Sequence, residues 1–185
     1  HLKAGPEYID PDHPIQRAIK SAWEDVTDAA TPGYGIDGCS APNFASSLSG
    51  FARALAMFAA AQDGVDARQS AMVRLRNAMM AHPHLVAGEG RACTELMRAM
   101  GGRVTIKTGA EAVFVAIVPE RRIGIALKVA DGGTRGAEAA IVALLVRLGV
   151  LDADHPAAKK RLDAVQRNCN GMDVAVLRAA RDFPG

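Results

Sequence analysis

The sequence predicts an α+β fold in which helices lie against one face of an antiparallel sheet. Three observations lead there. Apolar residues recur at helical spacing through most of the first hundred positions. From Arg103 the pattern changes to strand-like alternation, and a strongly apolar helical stretch, Ala137 to Leu148, follows those strands. Residues 1–101 are therefore expected to be mainly helical, and residues 102–185 to hold sheet strands and covering helices. A chain of 185 residues suits one domain, or one portion of a larger one, and can bury a real core.

Taken in order, His1 to Pro11 reads as a leading loop. Asp12 is the candidate N-cap of a first helix, with Pro14 tolerated in its first turn and Ile15, Ile19, Ala22 and Val26 on one face. Thr31-Pro32-Gly33-Tyr34-Gly35 ends that helix, and Ile36 to Pro42 reads as a turn-rich loop. Phe44, Leu48, Phe51, Leu55 and Phe58 form one apolar stripe. Met72, Leu75 and Met79 mark a third helix, stopped by His82-Pro83. Gly88-Glu89-Gly90 reads as a loop, and Thr94 to Met100 as a short helix ended by Gly101-Gly102. Residues 103–118 and 122–130 read as an antiparallel meander turning at Pro119-Glu120-Arg121, and Asp131-Gly132-Gly133 closes it. Residues 156–166 look helical, and Asp173 to Leu177 reads as a late strand. No internal repeat is visible.

Composition excludes several classes of function. A formal charge of +2 is too small for a nucleic-acid partner, and Lys159-Lys160-Arg161 reads as a solvated helix face. Eight aromatic residues spread along the chain offer no platform for stacking bases. No apolar run is long enough to span a bilayer, so no membrane partner is expected. Cys39, Cys93 and Cys169 make no readable disulfide or zinc-finger spacing, so reduced thiols in a cytoplasmic protein are the expectation. The chain begins with His1, and an upstream stretch is expected to be missing.

The most informative triplet is Lys107-Thr108-Gly109, at the end of a predicted strand. A K-T-G on a strand belongs to the signature of active-site serine enzymes of the β-lactamase and penicillin-binding type. Alternation puts Arg103, Thr105 and Lys107 on one face and Val104 and Ile106 on the other. Two readings of Lys107 stand: a strand-end lysine facing water, or a partly buried amine that exchanges a proton with a serine hydroxyl. In the second, the Ala110 backbone N–H helps form an oxyanion hole. The partner serine of an S-x-x-K is absent, since none of Ser21, Ser40, Ser46, Ser47, Ser49 and Ser70 has lysine three residues later.

Cys39, in Asp37-Gly38-Cys39, has two readings as well. It is a small buried side chain, or, beside a helix N-terminus, a thiolate able to hold zinc or attack a substrate. His82 and His84 flank Pro83, do not match a helical metal pair and read as loop histidines. Asp131 to Gly136 lacks the Gly-Lys-Ser/Thr end of a P-loop and reads as an ordinary strand-to-helix turn.

Several stretches together resemble the rhizobial-type, thermolabile L-asparaginases, often called L-asparaginase II. They are Tyr8 to Gln16, Asp37-Gly38-Cys39-Ser40-Ala41-Pro42, His82-Pro83, Val86 to Arg91, Lys107-Thr108-Gly109-Ala110-Glu111, Gly124 to Val129 and Asp131-Gly132, in the family's order. The resemblance implies a β-lactamase-like serine amidohydrolase converting asparagine to aspartate and ammonia, usually as a homodimer. It implies that this chain is the C-terminal portion of one catalytic domain, with its N-terminal half and nucleophilic serine upstream. Lys107 then matches the lysine of the family's second serine–lysine pair. Cys39 matches one zinc ligand, the other cysteine and a lysine lying in a C-S-G-K-H segment before His1. Ser40 stands where the family often has glycine. Alternatives are a serine-dependent glutaminase, a catalytically dead module binding an amide or a protein, and a penicillin-reactive acyl-serine enzyme.

Overall fold

Three small antiparallel sheets and seven α-helices make up residues 2–183, the part of the chain described by the computed structural model. In chain order they are α1 (Pro14–Thr27), β1 (Tyr34–Ile36), β2 (Pro42–Phe44), α2 (Leu48–Ala60) and α3 (Ala67–Ala81). Then come α4 (Pro83–Ala87), α5 (Ala92–Ala99), β3 (Thr105–Thr108), β4 (Val113–Val118) and β5 (Ile123–Lys128). α6 (Thr134–Arg147), α7 (Pro156–Lys159), β6 (Ala164–Arg167) and β7 (Asp173–Leu177) complete the chain. The α+β expectation holds. Contacts divide the chain into two units, one ending at Ala54 and the other beginning at Leu55.

In the first unit, α1 is capped by His13 and not by Asp12. The buried His13 ring accepts the Ile15 N–H at Nδ1 (3.2 Å) and lies 3.1 Å from the Gly5 carbonyl through Nε2. Proline takes the first helical position, so the capping role falls to the residue directly before it. Asp12 instead donates its own N–H to Asp10 at 2.9 Å. Trp23 of α1 meets Phe51 edge-on, with ring centroids 5.2 Å apart. The expected loop from Ile36 to Pro42 is the end of a hairpin, with Tyr34 opposite Phe44 and Ile36 opposite Pro42. Strands of three residues are too short for alternation to show, and Gly35 and Pro42 argue against a strand. Phe44, assigned by spacing to the α2 stripe, belongs to this hairpin.

In the second unit, Asp66 caps α3 by accepting the Gln69 N–H at 2.7 Å. His82-Pro83 ends α3 as expected, but Pro83 also opens α4, which the sequence reading missed. The meander is present as a three-stranded sheet in the order β3-β4-β5. Its inner face carries Ile106, Phe114, Ala116 and Val118, all fully buried. They share one cluster with Leu96, Met97 and Met100 at α5, and Ala137, Ile141 and Leu145 of α6. The opposite face is open in part: Lys107 and Lys128 are exposed, and Val113, Val115 and Ala126 half-buried.

Two expectations near the C-terminus are corrected. The helix predicted over 156–166 stops at Lys159, and Ala164–Arg167 pairs with β7, whose strand was anticipated. Asp163 at φ 54° breaks the helix, and β6 is too short for its alternation to outweigh helical spacing. Of Lys159-Lys160-Arg161, the two lysines are solvated as expected, but Arg161 is not. The Arg161 side chain is 5% exposed and binds Glu95 (2.7 Å) and Glu138 (2.9 Å), tying α5 and α6 to the end of α7. Exposed apolar side chains remain on the last hairpin, at Val165, Met172, Val174 and Val176.

Candidate active site around the K-T-G strand

Lys107 lies opposite Val115 in the β3–β4 ladder, on the face turned away from the core. The predicted alternation is correct: Val104 and Ile106 are buried on the other side, and Thr105, beneath Lys107, donates its hydroxyl to the Arg76 carbonyl (3.2 Å). Lys107 is exposed and donates from Nζ to the Thr108 carbonyl at 2.7 Å. The partial burial sought for a proton-exchanging amine is not provided by the described residues.

The backbone just beyond the lysine is unusual. Gly109 donates to the Val113 carbonyl (2.7 Å), while Val113 donates to the Ala110 carbonyl (3.2 Å). Gly109 and Ala110 therefore share one partner, which is a β-bulge. The bulge takes the Ala110 N–H out of the ladder, and no acceptor for it is found among the described residues. Glu111 and Ala112 follow at φ 52° and 57°, closing a type I′ turn with two non-glycine residues. Each costs roughly 1 kcal/mol or more in this region. The turn is held because Ala112 is buried and accepts the Val129 N–H at 3.2 Å. A larger residue at Gly109 would crowd the turn: a Cβ there would come within 3.1 Å of the Val113 Cβ.

A residue with no role in the sequence reading supports this strand from behind. Cys93 of α5 is 1% exposed, and its Sγ accepts the Thr108 N–H at 3.3 Å. Thr108 sits on the outer edge of the sheet, where its N–H has no strand to pair with. Burial pushes the Cys93 thiol up, opposed by the Thr108 N–H and the Lys107 charge. Its place was legible in part, because Cys93, Leu96, Met97 and Met100 share one helical face. No serine hydroxyl bonds to Lys107 among the described residues, and Ser70, the one serine of this unit, accepts the Gly64 N–H at 3.0 Å.

Cys39 belongs to the other unit. It is exposed at the tip of β1–β2, not buried and not at a helix N-terminus as expected. Ser40 donates to the Asp37 carbonyl (2.8 Å) and Asp37 to the Ala41 carbonyl (3.0 Å), with Ser40 at φ 69°. That is a turn followed by a left-handed bulge residue, a position glycine favours. The Cys39 thiol lies 3.8 Å from the Asp37 carboxylate. Among the described residues no three His, Cys, Asp or Glu side chains converge as a metal site. One thiol and one nearby carboxylate do not complete the four ligands of zinc. His84 lies in α4, not in a loop, and its ring centroid is 6.5 Å from that of His82. Asp131 accepts the Gly133 N–H at 2.7 Å and leads into α6, the strand-to-helix turn expected there.

The L-asparaginase II family matches residues 2–179. The chain belongs to that family. No curated protein sequence matches it. In this member of the family, three of the family-like stretches fall at strand ends and connections between elements. Lys107 to Glu111 forms the end of β3, its bulge and the first turn residue. Asp37 to Pro42 forms the first hairpin end. Val86 to Arg91 joins α4 to α5, where Glu89 makes two 2.7 Å bonds with Arg98 and Thr94 donates to the Gly88 carbonyl at 2.6 Å. Membership in the family makes the chain asparaginase-like, with a small amide as its class of substrate. No helix among the described residues is long and apolar enough to cross a membrane.

Proposed function

We propose that this chain is part of a serine-dependent amidohydrolase that converts L-asparagine to L-aspartate and ammonia. The observation that carries the reading is the bulge after Lys107, which leaves the Ala110 N–H without an acceptor among the described residues, on the same strand end as the exposed Lys107 side chain. An amide hydrolase needs both groups side by side. The unprotonated amine of Lys107 takes the proton of a serine hydroxyl as its oxygen attacks the side-chain carbonyl of asparagine. The Ala110 N–H bonds the carbonyl oxygen as negative charge develops there. Lysine returns the proton to the departing nitrogen, ammonia leaves, and water then hydrolyses the aspartyl ester to free the serine.

The serine comes from polypeptide outside these 185 residues, because none here carries the S-x-x-K spacing. The half-open sheet face around Lys107, Val113, Val115 and Ala126 is the surface such polypeptide would cover, as in a β-lactamase-like fold. We assign the homodimer to the assembled protein. A zinc ion bound at Cys39 draws its remaining ligands from outside the chain, and the steps above do not pass through it. The test is ammonia release by the complete gene product. Asparagine turned over faster than glutamine supports the reading; faster glutamine turnover makes it a glutaminase. Release from neither leaves a binding module.

A further inference from the structure

The first unit holds a cleft of about 480 Å³ between α1 and the β1–β2 hairpin, within the roughly 300–1,000 Å³ typical of small-molecule sites. Part of its wall is apolar: Pro32, Phe44 and the ring of Tyr34, which packs edge-on to Phe44 with centroids 6.1 Å apart. Three charged groups line it. Arg17 and Lys20, three residues apart on α1, project from one helix face, and Asp12 lies just before the helix.

These charges are not used up by the fold. Among the described residues the Arg17 guanidinium makes no hydrogen bond or ion pair, and the Asp12 carboxylate has no partner. Lys20 stands 4.0 Å from Glu24, whose same oxygen accepts the Thr31 N–H at 2.9 Å. The cleft is also held in shape before any ligand arrives. The Thr31 hydroxyl lies 2.7 Å from the carbonyls of both Gly33 and Ala45, and Ala45 donates to Gly33 at 2.9 Å. Glu24 and Thr31 thereby fasten the end of α1 to the hairpin.

We propose that this cleft binds a free acidic α-amino acid. Two cations and one carboxylate lining the same cleft complement a ligand with two carboxylates and one ammonium. Arg17 and Lys20 take the carboxylates, Asp12 takes the ammonium, and the rings cover the short aliphatic chain. A neutral amino acid leaves one cation unmatched, and a simple dicarboxylate leaves Asp12 without a partner. The inference uses residues of the first unit alone and stands apart from the amide chemistry at Lys107.

The experiment is calorimetric titration of the complete gene product with L-aspartate and with succinate, which lacks the ammonium. Wild type should bind L-aspartate more tightly than succinate. Arg17→Gln should weaken L-aspartate at least about tenfold. Asp12→Asn should remove the preference over succinate, and Lys107→Ala should leave L-aspartate binding unchanged. All three positions are exposed, and circular dichroism checks that each variant is folded. Absence of L-aspartate binding overturns the proposal. So does binding that survives both Arg17→Gln and Asp12→Asn, or binding abolished by Lys107→Ala.

Discussion

Two hairpin ends carry the candidate site residues, and they are built alike but supported differently. At 37–41 and at 109–113 a strand turns through an irregular end with non-glycine residues at positive φ, Ser40 in one and Glu111 with Ala112 in the other. Behind the second lies the main core: Phe114 is fully buried, Ala112 is buried, and Cys93 holds the outer edge of β3. Behind the first there is little, for Tyr34 is 50% and Ile36 64% exposed. A group aimed by the second end is therefore fixed by this chain alone. A group carried by the first, Cys39, has no such support from the main core.

This contrast can be broken most directly by truncating the apolar support of each hairpin. Phe114→Ala should cost about 3–5 kcal/mol in urea unfolding, while Tyr34→Ala should cost less than about 1 kcal/mol. Equal costs would remove the distinction. Next in size is the ion network that ties α5 and α6 to the end of α7. Arg161→Met should destabilise by about 2 kcal/mol, since two carboxylates lose a nearly buried partner.

The same network sets a pH dependence. The Lys160 hydrogen bond, with that of Arg161, holds the Glu95 carboxyl below its ordinary range despite partial burial. A depressed carboxyl contributes stability that is present above its unfolded value of about 4.3 and lost as pH falls through the folded value. Acid titration of wild type should show that loss, and Arg161→Met should show less of it. Cys93 acts in the opposite direction. Its raised thiol contributes stability that is complete below about 8.5 and declines as pH rises through the folded value.

Smaller effects sharpen the comparison. Glu111→Asn and Ser40→Gly should each stabilise by about 1 kcal/mol, because both relieve left-handed strain at exposed positions. Alkylation separates the thiols without changing the sequence. Iodoacetamide should label Cys39 and Cys169 in the folded protein and Cys93 only on unfolding. Fast labelling of Cys93 would mean that the edge of β3 opens.

The β3–β4–β5 meander, α3 and α6 were legible because each repeats its period over enough residues to show. The face of Lys107 followed from alternation alone. What escaped was short or set by one neighbour: β1 and β2 span three residues each, α4 hides behind a proline that usually signals an end, and β6 begins just after a left-handed aspartate. His13 displaced Asp12 as a cap through the position of Pro14. For the site, sequence placed Lys107 and Ala110 on one strand end. It could not show the bulge that frees the Ala110 N–H, which is set by the hydrogen-bond pattern inside the turn, nor the sulfur of Cys93 behind Thr108, which depends on a contact between separate segments.

The central proposal is that the Lys107 amine at the end of β3 takes a proton from a hydroxyl delivered from beyond these residues. Its most direct test is the rate of ammonia release from asparagine by the complete gene product carrying Lys107→Ala, with melting followed on the same sample. A fall of about 10²–10⁴-fold at unchanged melting temperature is the predicted result. Turnover within a few-fold of wild type would contradict it.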